Sequence, residues 1–211
     1  MAGTLISFEG VDGSGKTTQI DMLCEWLYHQ NEPFFRTCEP GGTRLGEIIR
    51  DILWPTRDLD ISPLAEAFLF QADRAQHFHQ VVLPALCEYD VVIVDRCYDS
   101  SAVYQGVVQN IGLAFIDTMS MTAMGDREPD LTILLDMPAE LVHERKKERM
   151  YGYDAKDVHF HEKARQAYLA LARSNPHMHR IRVIDATQTQ EAIHEQVVRL
   201  VGQCLDMQIA S

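Results

Sequence analysis

The sequence predicts an α/β fold in which a parallel β-sheet is covered by helices on both faces. Short apolar runs alternate with longer segments of helical periodicity along the chain, and strands separated by helices form parallel sheets. A glycine-rich loop, Gly10–Thr17, joins the first apolar run to the first helical segment. We expect a single domain over residues 1–211, because no linker, internal repeat or low-complexity segment divides the chain. Ligands of such sheets gather at the carboxyl ends of the strands.

The apolar runs have the length of buried strands, and the segments between them have the length and periodicity of helices. The predicted strands are Thr4–Phe8, Pro33–Thr37, Val91–Val94, Leu131–Leu135 and Arg180–Ile184. The predicted helices are Thr17–His29, Leu45–Leu53, Pro63–Gln80, Ile111–Met124 and Asp157–Arg173.

The composition is that of an ordinary globular protein with an acidic balance. Of its 211 residues, 46% are hydrophobic and 24% are charged, and the net charge at pH 7 is -12. A nucleic-acid-binding surface needs a basic patch, so this balance argues against a nucleic-acid partner and at the least indicates solubility. A phosphorylated ligand must then be bound by a few locally concentrated arginines and lysines.

Cysteine usage and hydropathy indicate a reducing compartment and no membrane attachment. The five cysteines include no CxxC pair, and the nine histidines show no metal-binding spacing. This pattern predicts neither a disulfide framework nor a zinc site. The segment MAGTLISFEG lacks the pattern of a signal peptide, and no apolar run reaches membrane-spanning length. We therefore expect a cytoplasmic protein without a membrane partner.

The most specific motif is the glycine-rich loop, which matches the phosphate-binding pattern GxxxxGK[ST]. Its residues are Gly10, Val11, Asp12, Gly13, Ser14, Gly15, Lys16 and Thr17, and Thr18 follows. Glycines let backbone N–H groups surround phosphate oxygens at a helix N-terminus, Lys16 reaches the β- and γ-phosphates, and the Thr17 hydroxyl can ligate Mg²⁺. A purely structural turn would give no reason for a lysine directly after Gly15. The loop therefore predicts a nucleoside triphosphate site.

Six segments in chain order carry a family resemblance. They read FEGVDGSGKTT, CEPGGTRLGEIIR, EAFLFQADRAQH, VDRCYDSSAVYQG, EPDLTILLD and IDATQTQEA. Together they resemble the successive signatures of bacterial-type thymidylate kinases, from Ile6 to about Val197, whereas the base-reading NKxD motif of GTPases is absent from the sequence. The resemblance implies a P-loop nucleoside-monophosphate-kinase-like fold. It also implies transfer of the ATP γ-phosphate to dTMP, with Mg²⁺, to give dTDP for dTTP biosynthesis.

Asp95 and Arg96 follow the strand Val91–Val94, at the edge of the sheet where ligands bind. An arginine there can bind phosphate through two N–H groups, which lysine does less well. The resemblance implies that Arg96 and Arg50 bind the acceptor phosphate, and that Asp95 lies near the metal. It also places Glu9 near the sugar 3′-hydroxyl and the metal. From the residues alone, Arg96 could form a structural salt bridge, and Glu9 could simply orient Arg96.

Phe70 and Arg74 are four residues apart, so on a helix they share one face. The resemblance implies that Phe70 stacks on thymine and that Arg74 donates to O4 of the base; without it, Phe70 would be interpreted as a core residue. Asp99 and Ser100 could equally cap a helix. The resemblance further implies that Ser101, Tyr104 and Gln105 line the deoxyribose and base, with Tyr104 disfavouring a ribose 2′-hydroxyl, and that Pro40, in a tight turn, contacts the acceptor.

The densest basic cluster is expected to form a mobile lid over about residues 145–157. It comprises Arg145, Lys146, Lys147, Arg149 and Lys156. Phosphoryl transfer spreads negative charge over the γ-phosphoryl group, and the P-loop has no arginine to meet it. Related kinases carry a lid arginine where this chain has Gly152. We therefore expect Arg149, with Arg145 behind it, to supply that catalytic cation, while Lys146 and Lys147 are typical of a solvated helix face.

Alternatives to dTMP phosphorylation stay open at the level of sequence. Another pyrimidine (deoxy)nucleoside monophosphate could be the acceptor, since Cys38 and Cys97 depart from the family pattern beside the acceptor site. The departure at Gly152 also fits a nucleotide-binding paralogue with weak catalysis. A P-loop synthetase that acts on a carboxylate has no support from the VDRCYDSSAVYQG segment. The resemblance further implies a homodimer, with small nucleotides as the other partners.

Overall fold

A computed structural model of the chain describes residues 3–54, 59–145, 157–174 and 179–209. It contains a parallel sheet of five strands in the order β2-β3-β1-β4-β5. Long apolar side chains on both faces of these strands explain why the strands appear in the sequence as nearly continuous apolar runs. The strands are β1 (Thr4–Glu9), β2 (Phe34–Cys38), β3 (Val91–Asp95), β4 (Leu131–Asp136) and β5 (Ile181–Asp185).

Helices connect every strand to the next one. Two π-helical segments interrupt them: Phe78–Val82 joins α3 to α4, and Ala102–Val108 continues α5. The α-helices are α1 (Lys16–Gln30), α2 (Arg44–Leu53), α3 (Pro63–His77), α4 (Leu83–Glu88), α5 (Tyr98–Ser101), α6 (Leu113–Met124), α7 (Ala139–Arg145), α8 (Val158–Arg173) and α9 (Gln190–Ile209). No helix in the described parts of the chain is long and apolar enough to span a membrane.

Both faces of the sheet are covered, which confirms the predicted fold class. On one face Ile6, Ile93 and Ile133 are fully buried and pack against α1 and α9. On the other face Leu5 and Val92 are fully buried and pack in a second apolar cluster with α4 and α6. Because the buried apolar surface is shared between two layers of helices, the central strand β1 is shielded from solvent along its whole length.

All five strands were predicted within one residue, and each prediction stopped one residue too early. The omitted residues are polar or small: Glu9, Cys38, Asp95, Asp136 and Asp185. Across the ladders Cys38 pairs with Asp95 and Asp136 pairs with Asp185, so these residues lie together at the carboxyl edge of the sheet. A purely apolar criterion therefore missed the residues at the carboxyl edge of the sheet, which is the edge where folds of this kind bind ligands.

Each of the five predicted helices coincides with an α-helix, and the bounds differ by at most three residues. The helix predicted as Pro63–Gln80 ends at His77, where the backbone enters the π-helical segment Phe78–Val82. The helix predicted as Ile111–Met124 begins at Leu113, after Gly112 adopts φ 115°. Helices α4, α5, α7 and α9 were not predicted. The first three have at most seven residues, and the buried positions of α9 form only a narrow stripe.

Candidate active site

The glycine-rich loop lies between β1 and α1, at the carboxyl edge of the sheet. Gly10 and Gly15 have φ values of 135° and 98°, which non-glycine residues rarely adopt. A Cβ on Gly10 would lie 2.6 Å from the carbonyl oxygen of Leu135, so the loop could not approach β4 with any other residue there. The loop thus presents its backbone N–H groups and the N-terminus of α1 to one pocket, as a phosphate site requires.

Lys16 is the first residue of α1, and its side chain folds back into the loop. The Nζ donates to the carbonyl oxygens of Gly10 at 3.0 Å and Val11 at 3.1 Å. Burial and the neighbouring charge of Arg96 lower the pKa of Lys16 to about 8. An anionic phosphate at the loop would oppose both effects, so this ammonium group is prepared for a negatively charged ligand.

Thr17 and Asp95 meet beside Lys16. The Thr17 hydroxyl donates to Asp95 Oδ2 at 3.3 Å. A hydroxyl and a carboxylate oxygen in contact are hard oxygen ligands of the kind that Mg²⁺ takes in phosphate sites, alongside phosphate oxygens and water. In the described ranges, no group of three or more His, Cys, Asp or Glu side chains is arranged around a metal position. These two residues therefore fit a metal that is held jointly with a nucleotide.

One cavity of about 830 Å³ joins the P-loop to the residues predicted for the acceptor phosphate. Arg50 lies in its wall, where Nη1 donates to the carbonyl oxygen of Pro40 at 2.9 Å. The cavity is lined by Asp12, Gly13, Gly15, Lys16, Thr17, Thr18, Arg36, Thr37, Cys38, Glu39, Pro40, Arg50, Trp54, Asp95 and Arg96. The residues predicted for the donor phosphates and those predicted for the acceptor phosphate thus face a single space.

A second cavity of about 390 Å³ lies on the other side of the loop. Its walls combine Ser14 and Thr18 with Gln19, whose amide donates to the carbonyl oxygen of Gln190 at 2.9 Å. Residues that connect β5 to α9 form another part of the cavity wall. This cavity adjoins the P-loop on the side away from the predicted acceptor residues. The sugar and base of a nucleoside triphosphate bound at the loop could therefore occupy it.

Arg96 connects the two halves of the site. Its backbone has φ 68°, in the left-handed region, and its N–H donates to the carbonyl oxygen of Phe8 at 3.0 Å. The guanidinium group pairs with Asp12 of the loop and donates to Gly10 O at 3.0 Å and Ser100 Oγ at 3.1 Å. The structural salt bridge considered for Arg96 is therefore present, within the cavity itself. A bound phosphate would compete with Asp12 for this guanidinium.

Glu9 is fully buried at the end of β1 and accepts four hydrogen bonds. Ser100 Oγ donates at 2.6 Å, Cys97 N at 2.8 Å, Tyr168 OH at 2.9 Å and Ser100 N at 3.3 Å. Burial, together with the negative charge of Asp99, raises the pKa of Glu9 to about 7. Glu9 is linked to Arg96 through the Ser100 hydroxyl, which accepts from Arg96 and donates to Glu9.

The helix-cap interpretation of Asp99 and Ser100 is wrong. Helix α5 begins at Tyr98 with no side-chain cap. Asp99 instead forms a buried two-point ion pair with Arg180, at 2.7 and 2.8 Å, while Ser100 binds Glu9. Sequence alone could not find Arg180 as a partner, because 81 residues separate it from Asp99.

The residues predicted for the acceptor base lie in one cleft beside the main cavity. Phe70, Arg74 and Tyr104 form its walls, with Pro40 at one end. Tyr104 is 4% exposed and stacks on Phe160 with ring centroids 6.1 Å apart. The cleft is also lined by Asp12, Glu39, Trp54, Arg96, Cys97, Ser100, Ser101 and Gln105. Phe70 is only partly buried, so its interpretation as a core residue is not supported.

Arg74 is 1% exposed and is held by side chains from other elements. It forms an ion pair with Glu39, with Nε and Nη2 both 2.9 Å from Oε2, and Nη1 donates to Ser101 Oγ at 3.2 Å. Glu39 also contacts His77 Nδ1 at 3.0 Å, and His77 Nε2 lies 2.6 Å from Thr37 Oγ1. Although burial raises it, the charges of Arg74 and His77 hold the pKa of Glu39 below its ordinary value.

Several site residues were missed at the level of sequence. Glu39 and His77 carried a usable signal, since Glu39 directly follows a strand and His77 lies three residues after Arg74 on one helix face. Tyr168 and Trp54 gave no such signal, because they reach the site only through the way in which α8 and α2 pack on the rest of the fold. The amide of Gln105, predicted at the base, donates to Glu66 Oε1 at 2.8 Å.

The predicted lid falls almost entirely outside the described residues. Arg145 is the last residue of α7, and only its backbone is described. Lys146, Lys147, Arg149, Gly152 and Lys156 lie outside the described ranges. Asp157 ends the lid segment, and its carboxylate caps α8 by accepting from Phe160 N at 2.8 Å.

Comparison with known proteins gives one consistent result. A family model described as thymidylate kinase matches residues 8–197. A thymidylate kinase of Bifidobacterium longum (strain DJO10A) is 44% identical over 196 residues, which cover 92% of this chain and 94% of the relative. The thymidylate kinase of Pelotomaculum thermopropionicum is 42% identical over 209 residues, which cover 98% and 96%. A crystal structure of thymidylate kinase from Ehrlichia chaffeensis superimposes with a TM-score of 0.76 at 32% identity, covering 95% of this chain and 99% of that one.

Proposed function

The chain belongs to the thymidylate kinase family, and from that membership we propose that it transfers the γ-phosphate of ATP to dTMP. The products are ADP and dTDP. One observation supports this proposal most directly. The cavity of about 830 Å³ is lined both by the P-loop with Lys16 and by Arg50 and Arg96. A donor phosphate and an acceptor phosphate can therefore meet in one space.

The donor half of the reaction uses the P-loop. The backbone N–H groups of Gly13–Thr18 and the Lys16 ammonium bind the β- and γ-phosphates, and the base of ATP occupies the cavity of about 390 Å³ beside Gln19. Thr17 and Asp95 supply oxygen ligands for Mg²⁺, which would neutralise charge on the donor phosphates. Lys16 gains a phosphate partner in place of the carbonyl groups of Gly10 and Val11.

The acceptor half uses the cleft beside β3. Phe70 stacks on the thymine ring, and Arg74 binds its carbonyl edge from a position fixed by Glu39. Arg96 leaves Asp12 to bind the acceptor phosphate, while Arg50 approaches it from the Pro40 turn. The acceptor oxygen can then attack the γ-phosphorus directly, since positioning and charge stabilisation suffice without a covalent intermediate. Ser101, Tyr104 and Gln105 line the sugar and base.

The lid supplies the remaining positive charge in this proposal. Arg149, with Arg145 behind it, would lie over the γ-phosphoryl group as charge develops. We expect Arg149→Ala to lower kcat by about 10³-fold with a much smaller change in either KM. Lys147→Ala is the matched control and should retain near-normal kcat. Unchanged kcat in Arg149→Ala would show that another cation acts in the transition state.

The proposal also includes a homodimeric assembly and a cytoplasmic location, as the resemblance to the family implied. We include a homodimer in the proposal because Leu64 and Phe68, four residues apart on α3, expose 47% and 52% of their surface. Phe115 on α6, a helix that packs against α3, is 45% exposed. Large exposed apolar side chains on neighbouring helices are typical of subunit interfaces. A cytoplasmic location agrees with a reaction on small soluble nucleotides.

The activity is tested with a panel of acceptors at fixed ATP and Mg²⁺. ADP release with dTMP, dUMP, dCMP, UMP and dGMP is measured by a coupled assay, with Lys16→Met as the blank. We expect the highest kcat/KM for dTMP. If dCMP or UMP is phosphorylated and dTMP is not, the chain is a kinase of a different pyrimidine nucleotide. Tight binding of ATP and dTMP with negligible ADP release would instead support a binding paralogue.

A further inference from the structure

Trp54 lies at the boundary between the main cavity and the base cleft, and its indole lines both. It directly follows α2, where its N–H donates to the carbonyl oxygen of Arg50 at 2.8 Å and closes the last turn of the helix. The side chain is half-buried. The end of α2 thus places a large aromatic ring at the position where the phosphate side and the base side of the acceptor site join.

The indole contacts one residue from each side. Its ring meets Phe70 edge to face, with centroids 6.4 Å apart and an interplanar angle of 80°. The guanidinium carbon of Arg50 lies 5.4 Å from the indole centroid, within the range of a cation–π interaction. Arg50 belongs to α2 and Phe70 to α3, so Trp54 links a phosphate-binding group to a base-stacking group across two helices.

Trp54 belongs to neither of the two buried apolar clusters of the described residues. Ile49, 4% exposed, supplies an apolar contact between α2 and the rest of the fold, whereas Trp54 faces the cavities. Tryptophan offers the strongest cation–π face and a wide edge for aromatic contact. A residue needed only to cover apolar surface would have no reason to contact both Arg50 and Phe70.

We propose that Trp54 is a positioning residue for the acceptor nucleotide. Its indole holds the Phe70 ring and the Arg50 guanidinium at a fixed separation, which sets the span between the base and the phosphate of the bound monophosphate. This inference rests on the proposed function. Its effect should be larger for the acceptor than for ATP, because Trp54 contacts Arg50 and Phe70 and is absent from the described walls of the cavity assigned to the base of ATP.

Steady-state kinetics separate this role from a structural one. Trp54→Leu keeps apolar bulk but removes the ring, and we expect the KM for dTMP to rise about tenfold while the KM for ATP stays within about twofold. Trp54→Phe should recover most of the loss, since it restores an aromatic edge and a weaker cation–π face. Equal losses for both substrates with a lowered Tm, or an unchanged KM for dTMP in Trp54→Leu, would overturn the proposal.

Fluorescence gives a second measurement that does not depend on turnover. The chain has two tryptophans, and the other, Trp26, lies in α1 and packs against the core. In Trp26→Phe, emission comes from Trp54 alone, and we expect dTMP without ATP to change its intensity or maximum. The emission of Trp54→Phe should not respond. If the emission of Trp26→Phe does not change with dTMP although the variant still phosphorylates dTMP, the inference alone is contradicted. If the unaltered chain does not phosphorylate dTMP, both the proposed function and the inference are contradicted.

Discussion

Two buried glutamates organise the cationic side chains of the site in different ways. Glu39 is ionised, forms a direct ion pair with Arg74 and contacts His77 Nδ1. Glu9 accepts hydrogen bonds from the hydroxyls of Ser100 and Tyr168 and from backbone N–H groups, which are neutral donors. Glu39 therefore fixes a positive charge in place, whereas Glu9 can carry either a proton or a charge near neutral pH.

Glu39→Gln should destabilise the chain strongly, because it leaves the buried Arg74 guanidinium without its counter-charge. Loss of one partner from a buried ion pair costs about 3–5 kcal/mol. We expect urea unfolding to show a loss of this order, with weaker dTMP binding in the fraction that stays folded.

Asp21→Asn is the control for Glu39→Gln. Asp21 forms an exposed ion pair with Arg36, in which the two side chains are 58% and 37% exposed. Exposed pairs contribute about 0–1 kcal/mol, so the free energy of unfolding should hardly change. Similar losses in Glu39→Gln and Asp21→Asn would show that Arg74 does not depend on Glu39.

The raised pKa of Glu9 predicts a pH-dependent stability. Burial raises it from 4.5 to about 7, so the folded chain retains the proton over a pH range in which the unfolded chain releases it. The contribution of Glu9 to stability is complete below pH 4.5 and is lost as the pH rises to about 7, by up to about 3 kcal/mol. Unfolding free energies of the unaltered chain and Glu9→Gln, measured from pH 4.5 to 8, should diverge in favour of Glu9→Gln. A constant difference between the two over that range would contradict the prediction.

Individual site residues were predictable where a motif or a strand end marked them, and their partners were not. Lys16, Arg96 and Arg74 lie in the cavity walls where we expected them. The salt bridge of Arg96 to Asp12 and the pairing of Arg74 with Glu39 span 84 and 35 residues. Such pairings depend on the order of strands in the sheet, which local sequence does not encode.

Strands were easier to predict than helices for a physical reason. A strand buried on both faces needs apolar residues at nearly every position, so its sequence is a continuous run. Helix α9 instead alternates buried residues such as Val197 with exposed polar ones, and its stripe is narrow. The π-helical segments Phe78–Val82 and Ala102–Val108 are rare elements that continue α-helices, so a helical pattern in the sequence does not separate them from the helix that they continue.

Two glycines in different elements should respond oppositely to alanine. In the P-loop, Gly10→Ala would place a Cβ 2.6 Å from Leu135 O at a φ of 135°, so we expect kcat/KM to fall by about 100-fold or more. In α9, a Cβ added to Gly202 would have no atom of the neighbouring described residues within 4 Å. Gly202→Ala should therefore add about 0.5–1 kcal/mol of stability at normal turnover. Thermal unfolding and the coupled assay measure both variants. Normal turnover in Gly10→Ala would contradict the loop geometry.

At the scale of the whole molecule, one layer of helices leaves apolar side chains exposed. Phe68→Asp should convert the proposed homodimer to a monomer of 24.0 kDa, because a charge at the centre of an apolar interface is costly. Light scattering after size exclusion measures the mass. Tyr28→Asp is the control, since Tyr28 is 73% exposed on α1, which packs on the opposite face of the sheet. A monomer in the unaltered chain, or a dimer in Phe68→Asp, would contradict this assembly.

The fold class and the carboxyl-edge location of the site were predictable for the whole molecule, whereas the strand order was not. The alternation of strands and helices requires a parallel sheet. It does not determine that β1 lies at the centre, between β3 and β4. That position is what brings Glu9 and Arg96 together, and it is also what places Arg180 beneath α5.

The central position of β1 also affects synthesis on the ribosome. Glu9 emerges early, but its hydrogen-bond donor Tyr168 lies 159 residues further along the chain. At the usual pace of translation, roughly 10–30 s separate the two. Until β3 is synthesised, β1 has neither of its neighbouring strands to pair with, so the central strand of the sheet cannot gain its native pairing early. The hydrogen bond from Tyr168 to Glu9 can form only after α8 has left the exit tunnel, so Glu9 lacks one of its donors until late in synthesis.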